Sequence, residues 1–107
     1  MTEKYLKVVN AIKELASTTL PQGAKVTLFG SRARGDARDD SDWDILILVP
    51  GGDRLPFAVS RSYGRPFEDK GWEMDVRIDT IVHSYAEWEK RSFLPLYHNI
   101  EREGIIL

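Results

Sequence analysis

The sequence predicts an α/β (α+β) protein, a small mixed β-sheet with helices packed mainly on one face. Three observations carry this. An amphipathic helical repeat opens the chain, two β-prone runs flank a polar segment containing glycine, and a third alternating run ends at a helix-capping signature. At 107 residues the chain is expected to form one domain spanning 1–107.

The elements follow in order. Leu6, Val9, Ile12, Leu15 and Ala16 recur at spacings of three and four between lysines and glutamates, which predicts a helix over 3–17. Leu20-Pro21-Gln22-Gly23 stops it. Lys25-Val26-Thr27-Leu28-Phe29 is a short strand ended by Gly30, and residues 30–41 read as a loop or a short helix start. Asp42 to Val49 is a second strand, apolar on both faces in its C-terminal half and therefore central in a covered sheet. Pro50-Gly51-Gly52 ends it.

Residues 51–71 hold four glycines and two prolines, and read as a loop with one helical turn. "WEMDVRIDTIVH", 72–83, alternates as a third strand. Ser84 followed by Glu87 is a capping box, so a helix starts at Tyr85. Pro95 interrupts it, and a second helical segment runs to Glu103 before Gly104. The aromatic residues Trp72, Trp88, Phe93 and Tyr97 are expected to pack in the core or at its edge.

Composition narrows the function. With 42% hydrophobic residues and 30% charged, the chain reads as a soluble globular protein. Its net charge of −2 gives no broad electrostatic footprint for nucleic acid. It has no cysteine, so disulfides, thiolate catalysis and cysteine-held metals are excluded. The longest apolar run, Ile45 to Val49, is too short to cross a bilayer, and no signal peptide opens the sequence. The expected location is the cytoplasm.

The chemistry lies in "FGSRARGDARDDSDWDILILV", residues 29–49. Asp42 and Asp44, two apart on a strand, point to the same face roughly 6.5 Å apart. Carboxylates at that spacing suit Mg²⁺ or Mn²⁺. Gly30 lets backbone amides approach an anion, Ser31 adds a hydroxyl, and Arg32 and Arg34 add positive charge. A phosphate cradle beside a carboxylate-held cation forms the two halves of a phosphoryl-transfer site. An EF-hand reading of Asp40, Asp42 and Asp44 fails, because Ile45 stands where glycine is needed and Gly51 where a glutamate is needed. Arg34-Gly35-Asp36 is read as a coincidental adhesion triplet, and Arg38 as a solvated loop residue.

Taken together, Gly30-Ser31, Arg34-Gly35 and Ser41-Asp42-x-Asp44 entering an apolar strand resemble the signature of the DNA polymerase β-like nucleotidyltransferases. More narrowly they resemble the minimal nucleotidyltransferase (MNT) branch, of which some members are antitoxins. The resemblance implies the nucleotidyltransferase fold and transfer of a nucleoside monophosphate from an NTP, with ATP expected, to an acceptor hydroxyl. It assigns Asp42 and Asp44 to the metal and catalytic site, with a third carboxylate on the next strand. Asp75 and Asp79 both qualify; Asp79 is preferred because it leads into apolar residues. Gly30, Ser31, Arg32 and Arg34 would hold the nucleotide.

The chain has no room for the helical domain of longer relatives, so the resemblance implies a helical HEPN-type partner in a toxin–antitoxin pair. A homo-oligomer acting on a small molecule such as an aminoglycoside ranks lower. The rival reading is a catalytically weak module of the same fold that acts by protein binding.

Overall fold

The computed structural model describes residues 2–107. Its elements are α1 (Glu3–Thr19), β1 (Lys25–Phe29), α2 (Ser31–Arg34), β2 (Trp43–Val49), α3 (Phe57–Glu73), β3 (Ile78–Ser84), α4 (Tyr85–Glu89), α5 (Pro95–Glu103) and β4 (Ile105–Ile106). The four strands form one mixed sheet in the order β3-β2-β1-β4. β1 runs antiparallel to both β2 and β4, and β2 runs parallel to β3.

The core explains that order. On β2, Ile45, Ile47 and Val49 face one side and Leu46 and Leu48 the other, and all five are at most 2% exposed. The first set meets Val8, Val9 and Ile12 of α1 and Phe67 of α3, together with Val26 and Leu28 of β1. The second set meets Trp88 of α4 and Ile100 of α5. A strand buried on both faces has to be central, as the unbroken apolar run predicts. The two long helices thus take one face, while the short α4 and α5 cover part of the other. Thr2 caps α1, its hydroxyl accepting from the Tyr5 amide at 3.1 Å, and Ser84 caps α4 by accepting from the Glu87 amide at 3.2 Å.

Several expectations are corrected. Residues 57–73 form a 17-residue helix, not a loop with one turn. The glycines read as breakers there, but Gly64 is the point where α3 presses on β3: a Cβ added to it would lie 2.6 Å from the Thr80 hydroxyl oxygen. Pro66 sits inside the same helix, whose attachment is reinforced further along. Arg61 donates twice to Glu68, at 2.6 and 2.8 Å, and the Thr80 hydroxyl donates to the same carboxylate at 2.6 Å. The Arg61 hydrogen bond, helped by that of Thr80, holds the Glu68 carboxyl below its usual range despite partial burial.

The third strand is correspondingly shorter. It begins at Ile78, because Trp72 and Glu73 finish α3 and Asp75 turns the chain with φ +58°. Trp72 and Phe93, expected in the core, are 84% and 78% exposed, whereas Trp88 is buried. The short β4, absent from the sequence reading, pairs Ile105 and Ile106 with Leu28 and Thr27.

Gly64→Ala tests the contact between α3 and β3. Alanine is the better helix former by about 1 kcal/mol, yet here the added methyl should destabilise the fold by about 1–3 kcal/mol through overpacking. Urea unfolding measures the sign; a stabilised variant would contradict the packing.

Candidate active site

The site is built by strand register. β2 and β3 run parallel with Asp44 directly opposite Asp79, and β1 places Phe29 opposite Asp44 on the other side. Asp42 stands two residues before Asp44, at the threshold of β2. Strand alternation gives Asp42, Asp44 and Asp79 the same face as Leu46 and Leu48. α4 and α5 cover that face further along, which leaves the carboxylate end open. Asp75, the alternative third carboxylate, lies on the turn before β3 and outside this row.

Gly30 is tied to the row in a way the sequence did not suggest. It adopts φ +74°, and a Cβ built on it would lie 2.5 Å from Oδ2 of Asp44. The anion this glycine makes room for is therefore a carboxylate of the same chain. Ser31 follows immediately and starts α2, which has only four residues and so contributes little dipole.

The two arginines of this segment separate. Arg32 donates to the backbone carbonyls of Asp39 (3.2 Å) and Ser41 (3.0 Å), and its guanidinium lies 4.9 Å from the centre of the Trp43 ring. It ties down the loop that delivers Asp42, so it is not positioned as the phosphate contact expected of it. Arg34 is half exposed, pairs loosely with Asp36 (3.3 Å) and Glu103 (3.6 Å), and lends positive potential to Asp44.

Arg77 is the residue the sequence reading missed. Its Nε donates to Oδ1 of Asp79 at 3.0 Å and stands 4.0 Å from Oδ2 of Asp42. The signal was present as Arg-Ile-Asp: two residues apart on an extended chain, arginine and aspartate share a side.

Asp44 carries the electrostatic strain. Burial, then the charges of Asp79 and Asp42, push its carboxyl above the ordinary carboxylate range, against the pull of Arg34 and Arg77. An all-oxygen, anionic set short of positive charge fits a hard divalent cation. Among the described residues no three such groups are already gathered around one point. Asp42 and Asp79 have side chains 45% and 42% exposed, so both can rotate inward. Beside them opens a cavity of about 570 Å³ whose lining includes Asp39, Asp40, Glu68, Trp72, Arg77 and Asp79.

A carboxyl whose pKa is higher folded than unfolded favours the fold in its neutral form. Asp44 therefore adds stability below its unfolded pKa, and that contribution is lost as pH rises through its raised folded value. Asp44→Asn should raise the melting temperature of metal-free protein at pH 7, by a few degrees at most because solvent screens a partly exposed carboxylate. The gain should shrink as pH falls through the Asp44 titration. Differential scanning fluorimetry across pH 4–8 reads it, and a lower melting temperature at pH 7 would show that Asp44 is not strained.

Comparison with known proteins gives the family of the chain. The family described as "Nucleotidyltransferase domain" matches residues 7–106. Among solved structures, a toxin–antitoxin crystallised with AMP-PNP is similar at TM-score 0.64 and 22% identity, covering 91% of this chain and 69% of that one. A putative nucleotidyltransferase from Sulfolobus solfataricus is similar at TM-score 0.64 and 23% identity, over 97% and 82% of the two chains. A mutant of the toxin–antitoxin MntA–HpeT is similar at TM-score 0.61 and 22% identity, over 92% and 70%. No curated protein matches the sequence.

Proposed function

The chain belongs to the nucleotidyltransferase domain family, and on that premise we propose that it moves AMP from ATP to an acceptor hydroxyl on a helical, HEPN-type toxin. The observation that carries this is the register of Asp44 against Asp79, with Gly30 making room for the Asp44 carboxylate. The toxin–antitoxin neighbours, one of them with AMP-PNP, support the choice of ATP and of a toxin as partner.

Each residue has a task in this reading. Asp42, Asp44 and Asp79 would hold Mg²⁺ or Mn²⁺, which when bound supplies charge neutralisation at the reacting phosphate. Ser31 and Arg34, with the backbone at Gly30, bind the triphosphate on the β1 side. Asp79 lies on the β3 side, next to the cavity, and accepts the proton of the incoming hydroxyl. That hydroxyl attacks the α-phosphorus, the bond to the β-phosphate oxygen breaks, and pyrophosphate leaves. Trp72 offers the acceptor a flat apolar platform at the cavity wall, and Arg32 holds the 39–41 loop that positions Asp42.

A protein-binding role is favoured alongside by one observation. Phe57, Trp72, Phe93 and Ile106 are all at least 66% exposed, apolar surface that a partner could cover.

Incubation with labelled ATP, Mg²⁺ and the product of the neighbouring gene tests transfer. Asp42→Asn and Asp79→Asn should each lower label incorporation by about 10²-fold or more. Transfer surviving both substitutions rejects the carboxylate assignment, and complex formation without any transfer favours the binding module. Trp72→Ala should raise the KM for the acceptor several-fold and leave that for ATP nearly unchanged. An equal rise in both would remove Trp72 from the acceptor side.

A further inference from the structure

The contacts of Arg77 lead to an inference that rests on the carboxylate assignment above. We propose that Arg77 is a built-in counter-cation: it bridges Asp42 and Asp79 in the metal-free protein and must leave them when a divalent cation binds.

The geometry is that of a placeholder. Arg77 Nε donates to Asp79 at 3.0 Å and approaches Asp42 at 4.0 Å, so one guanidinium spans the two outer carboxylates of the row. Asp44, between them in sequence and register, is pulled toward its charged form by Arg77 as well. Every member of the row thus feels the same guanidinium. The cation that the three carboxylates would hold has to take up the lone pairs that Arg77 uses, since a carboxylate oxygen turned to the guanidinium is not turned inward. This accounts for three acidic side chains in one row that are not yet gathered around a point.

Arg77 is also suited to leaving. Its side chain is 73% exposed, so the pair is screened and inexpensive to break. Its backbone is fixed independently, because the Arg77 carbonyl accepts from the Trp43 amide at 2.8 Å. The guanidinium can therefore swing without disturbing the register. It has somewhere to go: it lines the cavity together with Asp39, Asp40 and Asp75. On release it would meet those carboxylates at the cavity wall, where the acceptor enters. Loading the metal thereby changes the charge of the acceptor side.

Two other roles predict different behaviour. If Arg77 held Asp79 in a ligating pose, removing it would weaken metal binding. If it acted only as a distant positive charge, lysine would serve as well as arginine.

Titration of the full chain with Mn²⁺ alone, followed by isothermal calorimetry and by electron paramagnetic resonance of free Mn²⁺, separates these. Arg77→Met should bind Mn²⁺ about two- to fivefold more tightly than the wild type, the range of an exposed ion pair. Arg77→Lys should fall between, because it keeps the charge and loses the fork. Metal-free Arg77→Met should melt a few degrees lower than the wild type, and added Mn²⁺ should raise its melting temperature by more. Unchanged or weaker Mn²⁺ affinity in Arg77→Met overturns the proposal while leaving the metal site standing, and so does a lysine variant indistinguishable from the wild type. Absence of Mn²⁺ binding in all three proteins, or binding that persists in Asp44→Asn, overturns both the proposal and the site.

Discussion

Three like charges held in one row are the constraint to which the rest of the structure answers. The parallel register of β2 and β3 forces Asp44 against Asp79, and the chain direction brings Asp42 to the same face. Left alone, the row would splay the end of the sheet. What resists is the strand behind it. Ile45 to Val49 are buried on both faces, each side chain contributing about 1.5–3 kcal/mol. The repulsion between partly exposed carboxylates is smaller, since solvent screens it. Rigidity at one end of β2 thus sustains strain at the other.

The supporting elements follow from that need. α1 and α3 clamp one face of β2, and α4 and α5 cover only the far part of the other, leaving the carboxylate end accessible. α3 reaches β3 through Gly64 and through the Arg61–Glu68–Thr80 hydrogen bonds, one residue from Asp79. Arg32, stacked on Trp43 and bonded to the 39–41 loop, steadies the approach to Asp42. Residues with no part in chemistry therefore account for most of the precision of the site.

Legibility from sequence varied with the physics of each element. α1 was readable from its helical periodicity, and β1 and β2 from short β-prone runs bounded by glycine and proline. α3 was not, because Gly64 and Pro66 are ordinary helix breakers unless one knows that β3 lies against that face. The alternation through Met74, Val76 and Ile78 imitated a longer strand; only the left-handed turn at Asp75 distinguishes them. In the site, the shared face of Asp42 and Asp44 followed from their spacing of two, while the role given to them came from the resemblance. That Asp79, and not Asp75, stands opposite Asp44 needed register, and the company kept by Gly30, Arg32 and Arg77 needed three dimensions.

The fit between Gly30 and Asp44 has a consequence for how such chains diverge. The glycine is required twice over: by a backbone at φ +74° and ψ −157°, a region open essentially to glycine alone, and by the nearness of the carboxylate, which admits no side chain. A descendant that lost Asp44 would be released from the second requirement at once and from the first not at all. Position 30 would therefore stay glycine after the carboxylate was lost, for as long as the turn from β1 into α2 kept its course. A glycine at 30 thus reports the turn rather than the carboxylate, and only the loss of that glycine, which would move the backbone beside Asp44, couples the two positions.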